Sequence, residues 1–416
     1  MNRGGTLFAT TGLSSHGWPT EVVVADFNGD GFADAASANP FSNQTSVFLN
    51  DPAGGLYEHL VISTPSSGSA LAAADLDGNH TVDLVTTRIL EHYGNVSVLF
   101  NQGEATFTDP EYFGEGLNRK YVEWVRAADF NGDGAADTIV TTLSGAYLAT
   151  NDGSGQFEPF RRVSTYTGDR QLRVADLNGD GHMDFVTRGY ESVEVCLNDG
   201  TANFTCASNG IDFAGSSIGY SFSLTDVDDD GDLDGLFPGY PDTQLYLNRG
   251  DGMFDLAAAV TGGDAGIIVD VNDDGNPDIL VSNFENGFAT LMLNVGELTF
   301  VNQAEYACGG NPADMVPIDV DNDGHQEILV VNVFFDSITF IPSIATRKAD
   351  CNCSTTPDIE DITAFVIALS SAGEYPQFAS YYMAYPHCTP WNADANFDGR
   401  VDLFDIDSFV TLISGE

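Results

Sequence analysis

The 416-residue sequence predicts a mainly β protein: a seven-bladed β-propeller closed by its N-terminal strand, followed by a small all-α domain of EF-hand-like loops. Three observations predict it. An acidic loop signature recurs about every 50 residues, the length of a propeller blade. A hairpin signature recurs out of phase with that loop. After Ile344 the composition shifts and a second, shorter duplication begins.

The loop signature is Asp-x-Asp/Asn-x-Asp-Gly-x-x-Asp, with small departures. Its seven copies start at Asp26, Asp75, Asp129, Asp176, Asp226, Asp270 and Asp319. Apolar runs that suit strands flank each copy, such as Glu21–Ala25 before the first and Ile328–Val331 after the last. The hairpin signature, Asn-x-Gly-x-x-x-Phe, begins at Asn101, Asn151, Asn198, Asn248 and Asn294, with a weaker copy at Asn50. Asn and Gly readily take the positive φ that a hairpin turn requires. Each repeat therefore reads strand, acidic loop, two strands, hairpin, strand.

The ends of the array bear on its topology. The seventh loop is followed by a third strand, Asp336–Ile341, and then the hairpin signature is missing. It stands at the other end of the chain, at Asn2, Gly4 and Phe8. An open solenoid has no reason to split a repeat between its termini, whereas a ring gains a latch and loses its exposed sheet edges. The propeller is expected over residues 1–345 and the second domain over 346–416; the alternative is a β-sandwich with decorated loops.

The loops have the chemistry of a calcium site. A hard divalent cation takes six to eight oxygen ligands, and oxygens at positions 1, 3 and 5 of a tight loop converge, with a backbone carbonyl at 7 and a carboxylate at 9 closing the shell. In the first loop these are Asp26, Asn28, Asp30, Phe32 through its carbonyl, and Asp34. The second has Asp75, Asp77, Asn79, Thr81 and Asp83; the third Asp129, Asn131, Asp133, Ala135 and Asp137. The fourth has Asp176, Asn178, Asp180, His182 and Asp184; the fifth Asp226, Asp228, Asp230, Asp232 and Asp234. The sixth has Asp270, Asn272, Asp274, Asn276 and Asp278; the seventh Asp319, Asp321, Asp323, His325 and Glu327. Carboxylates this close repel one another unless a cation neutralises them. About seven ions are expected, bound more weakly in the second loop, where His80 replaces glycine, and in the seventh, where Glu327 replaces aspartate.

Loops and hairpin signatures together resemble the FG-GAP/VCBS repeats of integrin-α-like propellers, over residues 1–345. The resemblance implies structural rather than catalytic calcium, held on one rim. It also implies binding of a glycan or protein on the opposite rim or in the channel.

In the tail, two segments repeat an amphipathic stripe: Asp361–Leu369 and Asp405–Ile413. The second follows an EF-hand-type loop with Asp394, Asn396, Asp398, the carbonyl of Arg400, and Asp405 at position 12. The loop before the first, Asp350–Asp361, has serine and threonine where an acid and a glycine are expected. One or two ions are expected here. Paired loop–helix units ending in aspartate resemble dockerin modules, and Ala384–Cys388 with Asn392–Asp394 resembles the planctomycete type. That resemblance implies a cohesin-like or cell-surface partner; the alternative is a calcium-stapled cap with no partner.

Composition narrows the function. Lys and Arg total 14 against 62 Asp and Glu, a formal charge of −48. That excludes a generic nucleic-acid binder, which needs a basic face, and argues against adsorption to anionic membranes. No apolar run reaches the roughly 18–20 residues of a membrane span. Of the six cysteines, Cys196 and Cys206 flank one hairpin symmetrically, and Cys353 and Cys388 bracket the first tail helix; Cys308 and Cys351 are left over. Disulfides and many calcium loops point to a secreted or cell-surface protein, although Met1–Gly5 carries no apolar leader core.

No catalytic motif survives its context. Gly215-Ser216-Ser217-Ile218-Gly219 fits the nucleophile elbow but lies between propeller strands, where no strand–turn–helix is expected. Arg249-Gly250-Asp251 is the hairpin turn of one blade. The expectation is a calcium-binding recognition or adhesion protein with a docking tail, and not an enzyme. The rivals are a structural scaffold or surface-layer component, and a polysaccharide-active hydrolase or lyase. Channel-facing charged residues not spent on calcium would favour the enzyme. Exposed aromatics on one rim, with Trp18, Tyr93, Trp124, Tyr190 and Tyr240 as candidates, would favour a lectin.

Overall fold

Each acidic loop sits between two strands of an antiparallel sheet, and seven such sheets stand around an axis. The computed structural model describes residues 7–8, 11–15, 17–51, 55–64, 67–88, 96–117, 121–165, 171–189, 192–212, 217–219, 221–272, 274–320, 322, 324–333, 335–341, 361–371, 406 and 409. Blade 1 is Glu21–Ala25, Asp34–Asn39, Gln44–Asp51 and Gly55–Ser63, paired in that order. The first strands of blades 2 to 7 are Ser67–Ala74, Val122–Ala128, Gln171–Ala175, Ser223–Thr225, Gly266–Val269 and Pro312–Ile318. Each first strand touches those of the two adjacent blades, and that of blade 7 touches that of blade 1. That closed cycle is a propeller and excludes the sandwich.

The ring is closed as expected, by Thr11–Ser14, which pairs with Ser337–Ile341 as the outermost strand of blade 7. One detail differs. Phe8 was expected in the hairpin of blade 7, but Leu7–Phe8 runs parallel to the outer strand of blade 6, with Leu7 opposite Glu305. The segment thus crosses from the edge of one blade to the edge of the next before pairing.

Burial explains why seven weak sheets hold together. The core is divided into seven apolar slabs, one at each seam between blades. The seam of blades 7 and 1, for example, packs Val22, Ala35 and Phe48 against Ile318, Leu329 and Ile338. Position 2 of the acidic loop feeds these slabs: Phe27, Leu76, Phe130, Leu177, Val227 and Val271 are all buried. Blade 4 carries the expected disulfide, Cys196 to Cys206, between directly paired residues of adjacent strands. Cys308 is a buried free thiol, and burial pushes its pKa up to about 12.

Beyond the ring, Asp361–Ser371 is a helix with Ala364, Phe365 and Ala368 buried. The Phe365 ring stacks on Phe409 at 3.7 Å. The other expectations for 346–416, including the ligand set Asp394, Asn396, Asp398, Arg400 and Asp405 and the Cys353–Cys388 staple, lie outside the described residues. So do Asn2, Gly4, Gly215, Ser216, Tyr93, Tyr190, Asp321 and Asp323.

Candidate functional site

Strand alternation places every acidic loop, and every signature hairpin, at one end of the ring. Within a loop the aspartate at position 1 organises the turn. Asp26 accepts the N–H of Gly29 at 2.7 Å on one oxygen and that of Gly31 at 2.9 Å on the other. Asn28 accepts the N–H of Asp30, and Asp30 that of Phe32, so side-chain oxygens curl inward along the loop. The position-1 bond to the N–H of residue 6 recurs at Asp75, Asp129, Asp176, Asp226, Asp270 and Asp319. Position 6 needs a left-handed backbone, which glycine adopts without strain; Gly31 has φ 87°. His80 takes the same conformation at φ 69° and keeps the bond.

The carboxylate at position 9 is buried and serves two backbones. Asp137 accepts the N–H of Phe130, position 2 of its own loop, at 3.1 Å and the N–H of Asn151, the first hairpin residue, at 2.8 Å. Asp34, Asp83, Asp184, Asp234 and Asp278 make the same pair of bonds. Glu327, one methylene longer, still reaches the N–H of Val320 at 3.1 Å. Burial pushes Asp83, Asp137, Asp184 and Asp234 up to about 6 and Asp278 up to about 8. Acidic neighbours add to the rise, and the backbone N–H bonds oppose it.

The donor set suits a hard divalent ion. The carboxylate oxygens of Asp75, Asp77 and Asp83 lie within 4.8 Å of one another, as do those of Asp226, Asp228 and Asp234. An ion about 2.3–2.6 Å from each oxygen keeps its ligands within about 5 Å of each other. The second loop, with His80 at position 6, is one of the two that bring three carboxylates together.

Sequence reasoning missed the role of the hairpin asparagine. Its side chain is a clasp between blades: Asn151 Nδ2 donates to the carbonyl of Leu76, position 2 of the preceding blade's loop, at 2.7 Å. Asn50 does the same to Val320, joining blade 1 to blade 7. Asn at a fixed offset in nearly every repeat was the available signal.

It also missed the axis. Glu21 of blade 1 pairs with Arg126 of blade 3 at 2.7 Å and accepts the N–H of Leu71 in blade 2. Arg173 of blade 4 donates to the Ser221 hydroxyl at 2.6 Å and lies 3.9 Å from Asp314 of blade 7. Both guanidiniums lie over the Trp124 ring. Burial raises the carboxyls of Glu21 and Asp314, against the pull of the arginines, and lowers Arg173 to about 10. Desolvation outweighs attraction, as is usual for buried ion pairs.

The opposite end differs in surface chemistry. Trp18, in the connection from blade 7 to blade 1, meets Phe41 edge-on at 4.7 Å. Trp18 is 37% exposed and Phe41 65%. Phe335, in the turn of blade 7, is 58% exposed, and its neighbour Asp336 accepts the Trp18 N–H at 2.7 Å. Trp124 belongs to the axis, and the Tyr240 hydroxyl donates to Asp264 at 2.8 Å. Ser217–Ile218 of the elbow-like motif pairs with Gly239–Tyr240 as strand. Arg249 of the tripeptide pairs with Asp255 across its hairpin, at 2.6 Å.

The model of the FG-GAP-like repeat matches residues 26–86, 129–187, 176–237 and 270–330, more than half of the chain. The chain belongs to the FG-GAP-like repeat family. A search of curated proteins finds no match. Among solved structures, this FG-GAP-like chain is similar to an Agrocybe aegerita lectin described as recognising non-reducing terminal N-acetylglucosamine. That match has 20% identity and a TM-score of 0.52, covering 71% of this chain and 89% of that one. It is also similar to BBS1N, solved in complex with ARL6DN, at 10% identity, TM-score 0.52, covering 81% and 98%. A Lactobacillus plantarum protein matches at 15% identity, TM-score 0.51, covering 75% and 89%. At these identities the likeness is one of fold alone, and the fold is consistent with a recognition or binding role. No helix among the described residues is long and apolar enough to cross a membrane.

Proposed function

We propose that this FG-GAP-like propeller is an extracellular, calcium-stabilised recognition module. Its ligand, a glycan or a protein, binds at the rim opposite the acidic loops. The observation that carries this reading is the contrast between the rims: Trp18, Phe41 and Phe335 present rings to solvent at the seam of blades 7 and 1, where a sugar ring or an apolar side chain can stack. Calcium, at the ligand positions named for each loop, holds the other rim rigid. Propellers similar in fold include one described as recognising a sugar and one solved with a protein partner, so both ligand classes stay open.

Residues 346–416 are proposed as a dockerin-like tail for a cohesin-like or cell-surface partner. Phe365 and Phe409 occupy equivalent positions of the duplication and stack on each other, which supports paired helices. Ile362 and Ile406, also equivalent, are exposed beside Val366 and are available to a partner. The axial charges are spent on one another and do not favour an enzyme.

The test is a glycan array probed with the full chain in calcium and in EDTA, beside Trp18→Ala and Phe41→Ala variants. Calcium-dependent binding to one sugar class, lost in both variants, supports the reading. A blank array, with protein partners captured equally well by both variants, overturns the assigned rim and favours a scaffold.

A further inference from the structure

Position-9 carboxylates and hairpin asparagines join into one continuous hydrogen-bonded belt. Starting in blade 5, the Asn248 N–H donates to Asp234, and Asn248 Nδ2 donates back to the Leu177 carbonyl in the loop of blade 4, each at 2.8 Å. The Leu177 N–H donates to Asp184, which also accepts from Asn198, whose Nδ2 reaches the Phe130 carbonyl of blade 3 at 2.8 Å. Phe130 and Asn151 share Asp137, and Asn151 reaches Leu76 of blade 2. Leu76 and Asn101 share Asp83, and Asn101 reaches Phe27 of blade 1 at 2.8 Å. Phe27 and Asn50 share Asp34, and Asn50 reaches Val320 of blade 7, whose N–H donates to Glu327. In blade 6, Asn294 Nδ2 donates to Pro277 in its own loop at 3.3 Å, a bond that Asn101, Asn151 and Asn198 also make beside their clasps; among the described residues it makes no clasp to blade 5.

We infer that this belt couples cation binding between neighbouring loops, so that blades 5, 4, 3, 2, 1 and 7 load cooperatively. The inference rests on the calcium reading of the loops. The coupling is physical and has a direction. An ion held by positions 1 and 3 fixes the peptide units on both sides of position 2. That sets the position-2 carbonyl for the asparagine of the next blade. The same asparagine's N–H then orients that blade's own position-9 carboxylate, a ligand of the next ion. Order imposed by one ion is therefore order the next does not have to impose, which makes the coupling positive.

The test is a calcium titration of the chelator-stripped full chain, followed by calorimetry, with bound ions counted by metal analysis. Two variants accompany it. Asn151→Ala cuts the belt between blades 3 and 2. Asp133→Asn, at an exposed loop position outside the belt, removes the charge of one ligand of blade 3 and remains informative should the first variant fail to fold. The expected titration is steep, with a Hill coefficient above 1. Asn151→Ala keeps the ion count but brings the Hill coefficient down and raises the calcium midpoint about fivefold or more. Asp133→Asn weakens sites beyond its own. A Hill coefficient of 1, or an Asp133→Asn chain that loses one site and leaves the others unchanged, overturns the coupling while leaving calcium binding intact. No bound ions and no calcium effect on melting overturns the calcium reading itself.

Discussion

The acidic rim and the axis are both built from charged side chains, under opposite constraints. The rim is periodic, predominantly acidic and open to water; the axis varies from blade to blade, is mixed in sign and is largely buried. Five residues before each loop aspartate, the inner strands carry Glu21, Ala70, Trp124, Gln171, Ser221, Ala265 and Asp314 in blade order. These positions face a common axis, so a repeat copied faithfully there would bring like charges together without solvent between them. At the rim, each loop is open to water and can take its own counter-ion, so repetition is tolerated. Repetition thus encodes what each blade does for itself and its neighbour, and symmetry breaks where all seven meet.

The comparison can be broken experimentally, and the rim offers the largest effect. A site filled at about 100 times its Kd stabilises the fold by about 2.7 kcal/mol. Several loaded loops should therefore make EDTA lower the Tm by about 10 °C or more, read by calorimetry. An unchanged Tm removes calcium from the account. At the axis, Arg126→Met strands the Glu21 carboxylate, which is 2% exposed, without its cation. The expected loss is about 3–5 kcal/mol. It should be largely recovered in the Glu21→Gln/Arg126→Met double variant, and only weakly sensitive to salt because the pair is largely buried. A strongly salt-sensitive loss, or no recovery, places the pair in water instead.

A smaller effect separates the rim with and without ions. The position-9 carboxyls are raised in the folded chain, to about 6 for Asp83, Asp137, Asp184 and Asp234 and about 8 for Asp278. A raised folded pKa stabilises fully below the unfolded value near 4 and is lost as pH rises through the folded value. The EDTA-treated chain should therefore melt lower at pH 8 than at pH 5, and calcium, which prefers the ionised form, should close that gap. Ion-free melting that improves from pH 5 to 8 contradicts the assignment. Smallest is His80→Gly, which relieves a left-handed backbone at φ 69° and should raise stability by about 0.5 kcal/mol in chemical denaturation.

The contrast also explains what could be read in advance. Loops and hairpins were legible because local spacing repeats several times; ring closure followed from the one repeat split between the chain ends, and the Cys196–Cys206 bond from its symmetry about one hairpin. His80 looked like a defect, yet histidine can adopt the conformation that glycine supplies elsewhere, and a residue type alone does not reveal that. The clasp formed by Asn151 was hidden in plain view, because its role depends on a carbonyl 75 residues away at Leu76. Glu21 and Asp314 share one repeat position and Arg126 and Arg173 another, yet no further blade repeats those charges, and their meaning arises only once non-adjacent blades face each other.

The crossing of Leu7–Phe8 and Thr11–Ser14 between blades 6 and 7 has a consequence for biosynthesis. Thr11 pairs with Phe340, so this segment, translated ahead of all seven inner strands, must wait for one of the last strands of the ring. Until then the nascent chain holds an open arc with an unpaired edge at blade 7 and an apolar seam facing solvent. Contacts this distant in sequence form slowly and expose such edges to other chains. A fusion that anchors the residues just ahead of Leu7 will act on the yield of closed rings before it acts on anything the finished ring does.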